Sequence, residues 1–199
     1  MAYDKFNVVT STAYPLPIEN VDTDQIIPAR FLKATARVDF DKNFFRDWRY
    51  HPDGTPKADF PLNKEVYKGS KILVGGRNFG SGSSREHAAW SVYDFGLRCV
   101  ISSAFADIFK GNCLNVGVLP VQVTGVFADK LLDAIMADPK TEIKVDLPNQ
   151  TVTLVATGES QPFDINSYKK DNMLNGFDDI DYLKNIENEI AAFAETRPF

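Results

Sequence analysis

Cysteine and histidine are nearly absent from this chain, with two of each among 199 residues. Cys99 and Cys113 are too few for an iron–sulfur cluster, which takes three or four thiolates from its protein. No Cys-x-x-Cys pair and no histidine pair one helical turn apart is present, which argues against zinc. No apolar run approaches the roughly 20 residues of a membrane span. The opening Met1-Ala2-Tyr3-Asp4-Lys5-Phe6 lacks the basic-then-apolar order of a signal peptide. A cytoplasmic protein with two reduced thiols and no membrane contact is therefore expected. A basic excess is missing too: 22 Lys and Arg face 27 Asp and Glu, for a net charge of −5. That disfavours a general nucleic-acid binder, but it leaves room for a locally cationic pocket that takes an acidic ligand. Internal repeats and low-complexity tracts are missing as well.

Against these absences stands Gly75-Gly76-Arg77-Asn78-Phe79-Gly80-Ser81-Gly82-Ser83-Ser84-Arg85-Glu86-His87. The apolar strand Lys71-Ile72-Leu73-Val74 runs into it, and a helix carrying Ala88, Val92 and Phe95 at helical spacing leaves it. Glycines let backbone N–H groups crowd into a concave surface. A helix start adds unpaired donors and a partial positive charge. With two serines and an arginine in place, the stretch suits a carboxylate or phosphate. Ser83-x-x-Glu86 equally matches a capping box, which needs no ligand. No Lys follows the glycines, so this is not a phosphate loop. Arg85 stands where a dinucleotide fingerprint has its third glycine.

The remaining pattern is α/β. Phe6–Val9 reads as a short strand, with Pro15 and Pro17 marking a turn or extended segment after it. Asp22, Thr23 and Asp24 precede Gln25-Ile26-Ile27-Pro28 as either turn and cap residues or a functional loop. Residues 33–67 are irregular and aromatic, which fits a lid or specificity loop as well as plain packing. Within them, 41–50 is expected to be one short helix burying Phe44, Phe45 and Trp48. Lys71 to Ser102 reads as a right-handed βαβ unit. Helices are expected over 104–114, 126–137, 167–175 and 179–194, a strand over 118–121, and a β-hairpin from 141–146 and 151–155. Interleaved strands and helices predict a mixed sheet flanked by helices.

Three stretches resemble one family. Asn78-Phe79-Gly80-x-Gly82-Ser83-Ser84-Arg85-Glu86-His87-Ala88 is similar to the swivelling-domain signature of the aconitase superfamily. Asp22-Thr23-Asp24-Gln25-Ile26-Ile27-Pro28 is similar to its N-terminal signature, and Ser103 to Phe109, with Asn112 and Gly117-Val118-Leu119-Pro120, to the segment that follows. Together, and over nearly the whole chain, they resemble the small subunits of 3-isopropylmalate dehydratase. The block Phe44 to Tyr50 looks like the longer, bacterial type.

The resemblance implies a swivelling β/β/α domain spanning residues 1–199, with a specificity loop at about 33–67 and a helical C-terminal extension at about 166–199. It implies no cofactor in this chain, a [4Fe-4S] cluster in a separate large subunit, and an active site at the interface of the two. The implied reaction converts 2-isopropylmalate to 3-isopropylmalate by dehydration and rehydration, in leucine biosynthesis. Ser83 would be the base. Ser84 and Arg85 would bind a substrate carboxylate, with Asp24, Thr23 and Arg30 as further candidates. Asn78, Gly80, Gly82, Glu86 and His87 would support the site from behind, Glu86 as cap partner and His87 as a buried, hydrogen-bonded ring. That Ser83 rather than Ser84 is the base follows from the resemblance alone. The alternatives are a small subunit for a related diacid, of homoaconitate or methylmalate type, and a non-catalytic anion-binding module.

Overall fold

The computed structural model describes residues 3–32 and 40–197. Its frame is a seven-stranded mixed sheet in the order β4-β3-β2-β1-β5-β6-β7. The strands are β1 (Val8–Leu16), β2 (Ile72–Gly75), β3 (Cys99–Ser102), β4 (Leu119–Gln122), β5 (Glu142–Asp146), β6 (Thr151–Leu154) and β7 (Glu159–Pro162). On one side of β1 the neighbours β2, β3 and β4 run parallel; on the other, β5, β6 and β7 alternate antiparallel.

β1 is the hinge of this arrangement, and it is longer than the expected Phe6–Val9. Val8 to Thr12 pair with β5, and Ala13 to Leu16 pair with β2. Pro15 does not break the strand, because pairing with β5 has already ended there and one side of β1 is free of a ladder. Every residue of β2 and β3 is buried, as befits parallel strands covered on both faces. The sheet curls until its edges meet. The Thr124 N–H just past β4 donates to Gln161 Oε1 of β7 at 2.7 Å, and Gln161 Nε2 donates back to Thr124 Oγ1 at 3.0 Å.

The helices are α1 (Thr23–Ile26), α2 (Phe40–Asn43), α3 (Arg46–Arg49), α4 (Glu86–Asp94), α5 (Asp107–Asn115), α6 (Gly125–Ala137), α7 (Ser167–Asn175), α8 (Asp179–Asn185) and α9 (Glu187–Thr196). α6 lies across β1, β2 and β3, burying Phe127, Leu131 and Ile135, and a Thr124 side-chain cap starts it. α4 packs on α2 and α5. The expected helix over 41–50 is two short helices. Phe45 between them takes φ +49°, and its N–H turns away to the Ile26 carbonyl at 2.8 Å. The expected helix over 179–194 is likewise divided, at Ile186. Of the expected loop over 33–67, residues 33–39 lie outside the described residues.

Candidate active site

Three connections leave the carboxyl ends of adjacent parallel strands and converge: residues 17–22 after β1, 76–85 after β2, and 103–106 after β3. Open α/β sheets place their ligands at that end. The loops are knitted by backbone hydrogen bonds. Asn20 N–H donates to the Arg77 carbonyl, Gly80 N–H to Val21 and Thr23 N–H to Ser81, each at 2.8 Å. On the far side Phe79 N–H donates to the Ala104 carbonyl at 3.0 Å, and Ala106 N–H to Phe79 at 3.1 Å.

Gly80 is what lets the loop turn inside this knot. It takes φ +79°, and a Cβ there would lie 2.2 Å from the Phe109 ring. Gly82, at φ +89°, brings the chain against Asp22 and Thr23. Asn78 also sits in the left-handed region, at φ +59°, and its Nδ2 donates to Asn20 Oδ1 at 2.9 Å.

Ser83 and Ser84 stand exposed at the tip, and among the described residues neither hydroxyl has a hydrogen-bond partner. What is fixed is the backbone beneath them. Thr23, only 2% exposed, donates its hydroxyl to the Ser83 carbonyl at 2.7 Å. Thr23 therefore holds the loop from below and does not face solvent. Arg85 turns both Nη atoms onto the two carboxylate oxygens of Asp24, with the Nη2–Oδ2 contact at 2.7 Å. The Arg85 side chain is 12% exposed, whereas that of Asp24 is 53% exposed. The guanidinium holds the Asp24 carboxyl below its ordinary pKa.

The capping box expected from Ser83 and Glu86 does not form. α4 starts at Glu86, its N-cap is Arg85 in extended conformation, and no side chain caps it. The first N–H groups of the helix thus stay available to an anion beside the two serines, which a cap would have removed. Glu86 is exposed in the first turn, where its charge suits the helix dipole. His87 is half-buried against the rings of Phe40 and Trp90, at centroid distances of 5.4 and 4.7 Å, in place of the expected buried hydrogen bond. Arg30 is not drawn into this knot. Its Nη1 donates to Asp47 Oδ2 at 2.9 Å and its Nη2 also engages Asp47, on α3.

Sequence reasoning passed over Asn20, the partner of Asn78, and Asp47, the partner of Arg30. The signal for Asn20 was a small polar residue in a turn beside Pro17, too common a pattern to single out.

The aconitase C-terminal domain family matches residues 3–125, and a family described as LeuD_N matches 129–167. A 3-isopropylmalate dehydratase small subunit from Cytophaga hutchinsonii is 55% identical, covering 98% of this chain and 97% of the relative. One from Christiangramia forsetii is 53% identical, covering 98% and 94%. This chain belongs to the 3-isopropylmalate dehydratase small-subunit family, within the aconitase group. Its fold is that of the family: a 3-isopropylmalate dehydratase structure from Methanocaldococcus jannaschii superposes with a TM-score of 0.69 over 93% of this chain and 98% of that one, at 23% identity.

As a family member this small subunit does not fit a resident cluster of its own. Cys99 and Cys113 are fully buried, and burial pushes both thiols well above their usual pKa, away from the thiolate that a metal needs. Among the described residues no group of three or more His, Cys, Asp or Glu side chains is placed to hold a metal ion. No helix among them is long and apolar enough to cross a membrane.

Proposed function

We propose that this chain is the small subunit of a two-chain hydro-lyase that isomerises 2-isopropylmalate to 3-isopropylmalate by dehydration and rehydration. Relatives 55% and 53% identical over almost their whole length carry that subunit's name. The observation that carries the chemical reading is the pairing of two unpartnered serine hydroxyls with a guanidinium held in one plane by Asp24.

The proton to be removed lies beside a carboxylate and is weakly acidic. Ser83 takes it. A serine hydroxyl becomes a useful base only when its anion is stabilised, and the uncapped start of α4 and the Arg85 guanidinium lie next to it in the chain. Arg85 grips the substrate carboxylate with planar, charge-assisted hydrogen bonds, and Ser84 adds a donor. Asp24 keeps the guanidinium oriented between turnovers. Thr23 fixes the Ser83 carbonyl, so the hydroxyl departs from a defined backbone. The diacid loses hydroxide as well as a proton. Among the described residues no metal-binding group stands ready to accept it, so we assign that role, and the [4Fe-4S] cluster, to a large subunit.

Exposure supports a shared site. An alkoxide in open water is stabilised by water and attacks nothing selectively, so Ser83 needs a second surface to exclude solvent. The test is an assay on 2-isopropylmalate of the purified chain, of the large subunit, and of the two together. Activity is expected only from the mixture. Turnover by this chain alone would refute the two-chain reading, and a mixture that turns over another diacid in preference would move the assignment to a related substrate.

A further inference from the structure

A second cluster of cations, in a cavity whose lining includes none of Ser83, Ser84 and Arg85, is left unused by this chemistry. A cavity of about 520 Å³ opens between the segment after α1 and the stretch from α3 to Lys57. Its volume falls inside the roughly 300–1,000 Å³ of small-molecule sites. Arg30, Arg46 and Lys57 line it together with a single carboxylate, Asp47, in a chain that is acidic as a whole. Arg30 takes both oxygens of that carboxylate. Lys57 Nζ donates to the Asp47 carbonyl at 2.9 Å, and the Arg46 guanidinium lies 4.2 Å over the Tyr50 ring. Among the described residues neither Arg46 nor Lys57 has an ion-pair partner, so one acid is set against three bases and two positive charges remain over.

The cavity is braced rather than improvised. Arg49, 8% exposed, donates to the Phe44 and Asp41 carbonyls behind it. His51 N–H bonds the Thr55 carbonyl, Lys57 N–H bonds the Arg49 carbonyl, and Asn63 Nδ2 closes on the Lys57 carbonyl at 3.0 Å. Two separate surplus cations, one a planar fork held on an aromatic face and one a point charge, match a ligand with two anionic ends. We propose that this cavity is a second anion site, specific for a small dicarboxylate, in which Arg46 grips one carboxylate and Lys57 pairs with the other. It goes beyond the catalytic reading and does not depend on Ser83 being the base.

The test is an amide NMR titration of the full chain with malonate at constant ionic strength. Saturable shifts are expected across residues 46–57. Arg46→Gln and Lys57→Gln should each weaken binding by about tenfold, the worth of one charge-assisted hydrogen bond. Arg85→Gln should leave these shifts and their affinity unchanged. The dispersion of each variant's spectrum reports whether it is folded, and the two substitutions check one another. Shifts confined to residues 83–85 and lost in Arg85→Gln would overturn the proposal. So would non-saturating shifts that chloride reproduces, or inorganic phosphate binding as tightly as malonate.

Discussion

The two halves of the sheet share β1 and differ in almost everything else. On the parallel side, β2 and β3 are short and wholly buried, and each strand needs a crossover to reach the next. Those crossovers begin as loops at one end of the sheet, where 17–22, 76–85 and 103–106 brace each other. On the antiparallel side, β5, β6 and β7 follow one another through tight turns, and β7 is exposed and polar. No long loop arises there, and none of the candidate residues lies there. Parallel pairing costs chain length, and the length it demands is what supplies a site.

If that contrast holds, damage to the parallel end should remove function and damage to the antiparallel half should not. The largest effect is expected from Gly80→Ala. A Cβ pressed into Phe109 at φ +79° should cost about 2–5 kcal/mol from overpacking and a left-handed backbone, read as a fall in the denaturant midpoint. Arg85→Gln should leave folding intact and lower kcat/KM of the two-chain enzyme by about 10²–10³. Thr23→Val keeps the shape but leaves the Ser83 carbonyl without its donor. A loss of about 1–3 kcal/mol, with Thr23→Ser restoring kcat, would mark a positioning role.

Acid should act next. Arg85 lowers the folded pKa of Asp24, so the pair stabilises the fold above the unfolded value near about 3.9, and that contribution fades as pH falls through the folded pKa. Because Asp24 is half-exposed, no more than about 1 kcal/mol is expected. Wild type and Asp24→Asn should differ in midpoint at pH 6, and the difference should shrink as pH falls below about 3.9. The smallest effect belongs to the antiparallel half. Breaking the exposed Lys130–Glu159 pair with Glu159→Gln should cost at most about 1 kcal/mol and leave turnover unchanged. A loss of activity there would blur the comparison.

The same contrast governs what the sequence reveals. β2, α4 and β3 are legible because an apolar run, a glycine turn and a helical stripe follow in order. β7 is not, since Glu159-Ser160-Gln161-Pro162 is polar and ends in proline, and only its place at the sheet edge makes it a strand. β1 runs past the expected Val9 and through Pro15, which the end of one ladder tolerates, and no local pattern separated a turn there from an extended segment. The split at Phe45 depends on a hydrogen bond to Ile26, nineteen positions back in the chain, which no local pattern records. Ser83, Ser84 and Arg85 are adjacent and could be read together. Thr23 with Ser83 and Asp24 with Arg85 are contacts across about sixty residues, so their pairing came only with the fold. Resemblance placed Asp24 near the site, but gave neither its partner nor the missing cap on α4.

That this chain contributes the base is tested most directly by Ser83→Ala, combined with the large subunit and assayed on 2-isopropylmalate in both directions, with complex formation checked by size exclusion. The expected result is an intact complex with turnover reduced at least about 10²–10³-fold in each direction. Near-normal turnover from an intact complex would contradict it.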